Sequence, residues 1–259
     1  IGDCVMAANS PAPSQANGIL SYFQTVRTLQ EAAILGQEAL LVAIAQRMVE
    51  VIQADGRIFL FGTGHSHMLA EEGHLRAGGL APVVPILLSG LMMHENPLLG
   101  SQIERTPGLA QAILARYAPQ PGELLIVFSN SGVNRLPVEM AQHAKALGLT
   151  VVAVCSLAYA QVAPLSDLGV RLTDVADFVL DNHGQPGDAA MDVPGTAWRT
   201  GPTSTVVGAT LWNCLLTQAA VTLAAEGETP PLYASFNMAG AREHDQALLA
   251  KWRGRNPHL

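Results

Sequence analysis

Five short apolar runs, each the length of a β-strand, recur along this chain with helix-like stretches between them: residues 57–61, 83–88, 124–128, 151–155 and, more weakly, 177–181. Runs such as Leu124-Leu125-Ile126-Val127-Phe128 lack the polar alternation of a sheet with one wet face, so both of their faces must be covered. Strands alternating with helices in chain order pair in parallel, because each connection has to cross over the sheet. The fold class read from this pattern is α/β, a three-layer α/β/α sandwich. Helical periodicity predicts a helix over residues 19–54, closed by Asp55-Gly56, and further helices over 66–77, near 109–117 and over 138–147. Residues 91–106, which include Pro97 and Gly100, are the least regular stretch. Neither a repeat nor a low-complexity linker divides the chain. The expected organisation is therefore a flexible segment at 1–17 and one domain over 18–259, with extra helices at both ends.

Composition removes several function classes. Fourteen basic residues against 21 acidic ones leave a net charge of −7, the wrong sign for a phosphate backbone, so no nucleic acid partner is expected. Lys145 and Lys251 are the only lysines, which removes the P-loop and most lysine-based covalent mechanisms. Charged residues make up 14% of the chain, against about 25% in an average globular domain. Such a deficit points to surface hidden in a homodimer or higher homo-oligomer, or to a sheet covered on both faces. Cys4, Cys155 and Cys214 form no C-x-x-C, and a reducing cytoplasm is the expected setting. Residues 200–225 carry no charge over a length that would span a bilayer, but Thr203, Ser204, Asn213, Thr217 and Gln218 make a buried helix the better reading, with no membrane partner. Residues 1–17 lack a basic stretch followed by an apolar one, so no secretory signal is expected there.

Two turns rich in glycine and serine follow strands directly and open helices: Gly62-Thr63-Gly64-His65-Ser66 and Ser129-Asn130-Ser131-Gly132-Val133-Asn134. Such turns present free backbone N–H groups and hydroxyls at helix N-termini, where the helix dipole favours an anion. The first begins like a dinucleotide fingerprint, but His67 stands at the third glycine and Ser89-Gly90 replaces the acidic residue after the second strand, so a nicotinamide cofactor is disfavoured. Gly64-His65-Ser66-His67-Met68 lacks the closing glycine of a nucleophile elbow, which disfavours a serine hydrolase.

Together with Gly201-Pro202-Thr203-Ser204-Thr205 at the start of the uncharged helix, these motifs resemble the sugar isomerase (SIS) domain over about residues 40–226. The closest likeness is to a bacterial subfamily often labelled phosphoheptose isomerase. The resemblance implies a five-stranded parallel sheet and a small-molecule sugar phosphate as ligand. It also implies a binding set drawn from Gly64, His65, Ser66, Ser129, Asn130, Ser131 and Asn134, with Ser204 and Thr205 assisting. Asn134 stands where many SIS loops carry threonine or serine. The implied activity is aldose–ketose isomerisation of a sugar phosphate, with a non-catalytic phosphosugar-binding regulator and an ether-cleaving lyase on N-acetylmuramate phosphate as alternatives.

Isomerisation needs a base to move a proton between adjacent carbons. Glu71 and Glu72 lie about one and a half turns beyond Ser66, and adjacent carboxylates cannot share a helix face, so one of them, Glu72 in preference to Glu71, is the expected base. His183, directly after the fifth strand, is a third candidate, and His94-Glu95 lies in the irregular segment that would fold over the site. His67, Glu71 and His74 have metal-ligand spacing on one helix face, but three ligands on a single helix must also converge, and no metal or other cofactor is expected. Asp181, Asp188 and Asp192 around Pro186-Gly187 read as a turn-rich loop in preference to a polar wall of the site.

Overall fold

A computed structural model describes residues 17–259, and the segment expected to be flexible at 1–17 lies outside them except for Asn17. Two helices, α1 (Gly18–Leu35) and α2 (Glu38–Gln53), precede strand β1 (Ile58–Gly62). After helix α3 (His67–Glu72) and strand β2 (Val83–Pro85), helices α4 (Pro97–Ile103) and α5 (Leu109–Ala115) lead to strand β3 (Leu124–Phe128). Helix α6 (Arg135–Ala146) connects to strand β4 (Thr150–Cys155), and helices α7 (Leu157–Val162) and α8 (Leu172–Val175) to strand β5 (Phe178–Asp181). Strands β6 (Ala189–Asp192) and β7 (Arg199–Pro202) form an antiparallel hairpin before the long α9 (Ser204–Ala225), and α10 (Ala241–Trp252) follows.

The five main strands pair in parallel in the order β2-β1-β3-β4-β5, as the apolar runs require. Their side chains alternate between two cores. Ile58, Leu60, Leu124, Ile126 and Phe128 meet α2 and α9, whereas Phe59, Phe61, Leu125 and Val127 meet α5 and α6. Helix α9 is long and apolar enough to cross a membrane. Here Val207, Leu211, Leu215, Ala219 and Leu223 seat it on the sheet at three- and four-residue spacing, so it is a core helix.

Several expected boundaries move. The helix expected over 19–54 is two helices bent by 66°. At the break, Gln37 Nε2 donates to the Asp181 carbonyl at 2.7 Å, and the Asp181 amide donates to Gln37 Oε1 at 2.8 Å. The bend thus satisfies exposed backbone of edge strand β5, a demand that helical periodicity does not encode. The helix expected over 66–77 ends at Glu72 because the next stretch is used in long-range pairing: Gly78 N–H donates to the Tyr233 carbonyl and Ala81 N–H to that of Pro231. Beyond β2, Leu87 N–H leaves the ladder for the Tyr117 hydroxyl at 2.8 Å, which shortens the run read over 83–88. The helix read near 109–117 stops at Ala115, and the one read from 138 begins at Arg135. The β6–β7 hairpin was not anticipated; it occupies the turn-rich loop around Asp188 and Asp192.

Candidate functional site

Strand order 2-1-3-4-5 reverses direction between β1 and β3, and in open α/β sheets the crevice at the carboxyl ends of the strands at such a switch point is where ligands bind. The two glycine- and serine-rich turns leave these two strands. In the first, a Cβ on Gly62 would stand 2.3 Å from the Ser66 carbonyl oxygen, and Gly64 has φ +57°, so both positions need glycine for the turn to fold back on itself. In the second, Gly132 at φ +63° turns the chain into α6.

The turns enclose a cleft of about 280 Å³. Gly64, His65 and Ser66 line it from the first, and Ser129, Asn130, Ser131 and Asn134 from the second. Ser204 at the start of α9 borders it, while its neighbour Thr205 does not. Asn134 is the N-cap residue of α6 but makes no side-chain cap bond, and among the described residues neither the Ser131 hydroxyl nor the amides of Ser131, Val133 and Asn134 donate to a protein acceptor. Open donors at the positive end of a twelve-residue helix form an anion-binding arrangement.

Two carboxylates border the cleft, and neither was named as a base from the sequence. Glu104, 9% exposed, accepts from the Thr63 hydroxyl at 2.7 Å and from Asn134 Nδ2 at 3.0 Å, with Arg105 Nη1 2.9 Å away. Its own carbonyl accepts from Leu136 N–H, tying the segment after α4 to the first turn of α6. Asp188, held at φ +65°, accepts from the amides of Thr203 and Ser204 at 3.1 and 2.9 Å and from the Ser204 hydroxyl at 2.7 Å. The Ser204 hydroxyl expected to assist an anion is therefore engaged by an internal carboxylate.

The three residues read as proton movers lie outside the cleft wall. Glu71 is half-exposed, with Oε1 3.2 Å from His67 Nδ1. Glu72 pairs with Arg76 and accepts from Asn213 Nδ2 of α9 at 3.2 Å, so it ties helix to helix. His183, at φ +53°, keeps Nδ1 3.4 Å from Asp181. The residue after β5 that touches the second turn is its neighbour, the buried Asn182, whose Nδ2 donates to Asn130 Oδ1 at 2.9 Å.

Beyond the first turn lies a group of histidines, His67 buried and His74 and His258 partly so. Burial holds both His67 and His74 below the ordinary imidazole range, against the pull of Glu71 on His67. His258 is pushed down to about 4, first by burial and then by Arg116, His74 and His67, and its Nε2 sits 2.8 Å from the Tyr117 hydroxyl. Because α3 ends before His74, His67, Glu71 and His74 do not share a helix face, and among the described residues no cluster of three or more His, Cys, Asp or Glu is placed to hold a metal ion.

A doubly wound α/β sandwich with an open-donor cleft at its switch point is the class that fold and site define. Comparison with known proteins gives the family: the SIS domain model matches residues 21–156, and the chain belongs to the SIS family. A UPF0309 protein of Brucella canis is 42% identical over 228 residues, 88% of this chain and 90% of that protein. A UPF0309 protein of Brucella anthropi is 42% identical over 215 residues, 83% of this chain and 88% of that protein. Among solved structures, the phosphoheptose isomerase of Neisseria gonorrhoeae superposes with TM-score 0.53 at 18% identity, over 78% of this chain and 97% of that one. The phosphoheptose isomerase of Francisella tularensis superposes with TM-score 0.54 at 15% identity, over 78% and 95%. At these identities the likeness is one of fold.

Proposed function

We propose that this SIS-domain chain binds a sugar phosphate in the switch-point cleft and interconverts its aldose and ketose forms, with Glu104 moving the proton. One observation carries the reading: the unpaired donors of the Ser129–Asn134 turn and the buried Glu104 carboxylate border the same cleft of about 280 Å³. The phosphate rests on the Ser131 hydroxyl and the amides at the start of α6, the sugar lies against Ser66 and His65, and Glu104 faces the carbons between which the proton moves. Thr63 and Asn134 orient this carboxylate as positioning residues, each through one hydrogen bond to a different oxygen. A carboxylate so placed takes the proton beside the carbonyl and returns it to the neighbouring carbon, a role worth about 10²- to 10⁴-fold in rate.

A non-catalytic phosphosugar sensor is the second reading, favoured by the protein hydrogen bonds that Glu104 and Asp188 already accept. Incubation of sugar 6- and 7-phosphates in deuterated water, monitored by NMR, tests both. Isomerisation gives a new sugar phosphate, with deuterium at the carbon next to the carbonyl wherever the proton exchanges with solvent. Glu104→Gln should abolish turnover while phosphosugars still raise the melting temperature. Binding without any turnover in wild type supports the sensor, and full turnover in Glu104→Gln refutes the assigned base. The chain is further proposed to act in the cytoplasm as a homodimer. Support for pairing is the uncharged outer face of α9, where Val206, Ala209 and Cys214 border a shallow cavity of about 690 Å³.

A further inference from the structure

The anion-binding turn has a second cavity on its other side. Ser131, Asn134 and Tyr159 border both the catalytic cleft and a cavity of about 550 Å³, nearly twice as large. The two chambers differ in charge. The smaller has Glu104 and Asp188 in its wall and no lysine or arginine; the larger has Arg105 and Arg135, with Asp167 as its only carboxylate. We infer that the ligand of this protein carries a second anionic group, a carboxylate or a second phosphoryl, which binds Arg135 and Arg105 in the larger chamber. The inference rests on the proposal that the Ser129–Asn134 turn holds a phosphate.

Arg135 makes the case. Its side chain is only 15% exposed, with Nε 2.7 Å from the buried Glu139 and Nη1 on Asp167, itself 73% exposed. Glu139 also accepts from Gly108 N–H at 3.1 Å and is a fixed structural partner. Asp167 is not fixed in this way, because an ion pair with a carboxylate this exposed is held weakly. A ligand carboxylate or phosphoryl oxygen arriving from within the chamber makes the same charge-assisted bond to the guanidinium, and bidentate contact makes it stronger. Arg105 adds a second cation on the same wall; its side chain is 57% exposed and its guanidinium contacts Ser101 and Glu104. The Ser166 hydroxyl oxygen, buried at the chamber wall without a partner, is a further donor for such a group. Because Ser131 and Asn134 belong to both walls, a phosphate seated on the turn stands at the junction, within reach of either side.

Calorimetric titration at fixed ionic strength tests this with inorganic phosphate, pyrophosphate, fructose 6-phosphate and fructose 1,6-bisphosphate. One added charge-assisted contact corresponds to roughly a tenfold gain in affinity. A probe with two anionic groups should therefore bind at least that much tighter than its singly phosphorylated counterpart. Preference for pyrophosphate places the second group on the phosphate, and preference for the bisphosphate places it on the sugar. Arg135→Gln should erase the gain and leave the affinity for single phosphates unchanged, whereas Asp167→Asn should enlarge it. Arg105→Gln, on an exposed side chain, provides the same comparison should loss of Arg135 leave Glu139 unbalanced and the fold weakened. Equal affinities for single and double anions in wild type, or equal losses for both in Arg135→Gln and Arg105→Gln, would overturn the inference. Binding of none of the four, or single-phosphate binding untouched by Ser131→Ala, would instead overturn the phosphate role of the turn, and the inference with it.

Discussion

Acidification should destabilise this protein through the histidines beyond the first turn, and His258 allows the size of the effect to be worked out. Its imidazole titrates at about 4 in the fold against an ordinary 6.5, because burial comes first and Arg116, His74 and His67 add positive charge nearby. Between those values the unfolded chain binds a proton that the folded chain refuses, so stability is complete above pH 6.5 and falls as pH drops toward 4. The difference between pH 7 and pH 5 integrates to about 2 kcal/mol at most. His258 keeps partial contact with solvent, and screening reduces this to about 1 kcal/mol, or roughly 2–4 °C in melting temperature for a domain of this size. His67 and His74, also held low by burial, push in the same direction. The assay is thermal unfolding of wild type and His258→Gln at several pH values from 7 to 5, with the glutamine chosen because its amide oxygen can still accept from the Tyr117 hydroxyl. The wild type should lose more stability than the variant across that window. Parallel pH profiles, or a wild type that gains stability on acidification, would refute the reasoning.

Three further outcomes follow from the packing and the turns. Glu123→Ala leaves the buried Arg57 guanidinium without the carboxylate that lies 2.7 Å from its Nε, and chemical denaturation should show a loss of about 3–5 kcal/mol. Leu211→Ala opens a cavity where α9 meets the sheet, costing about 2–5 kcal/mol by the same assay, although α9 carries no charged side chain whose pairing is disturbed. Gly62→Ala forces a Cβ to within 2.3 Å of the Ser66 carbonyl oxygen, so phosphosugar affinity measured by calorimetry should fall by more than tenfold, while the distal Leu211→Ala leaves it within roughly twofold.

The layered fold and the two glycine- and serine-rich turns at its strand ends were legible in the chain itself. Apolar runs of five or six residues, without polar alternation and bounded by turn residues, read as strands covered on both faces, and the order of strand and helix then points to parallel pairing, because these signals are local and physical. Gly62, Gly64 and Gly132 announced turns that favour glycine, and serines placed in those turns announced open donors at helix starts. The carboxylates in the cleft wall were not legible. Glu104 sits in a stretch without periodicity, and only the folded chain brings it beside Thr63 and Asn134, 41 and 30 positions away. Glu71 and Glu72 were close to Ser66 in sequence, yet α3 ends at Glu72 and both carboxylates are turned to other partners. Asp188 read as a loop residue and Asn182 was not singled out, since nothing near them in the chain shows that one closes the start of α9 and the other braces the second turn. Periodicity and turn chemistry report what neighbouring residues do to one another, so the sequence by itself determined the five-stranded sheet, its alternation with helices and its glycine- and serine-rich turns. Which charged side chains face the cleft depends on contacts between residues tens of positions apart, and the tertiary structure alone decided those.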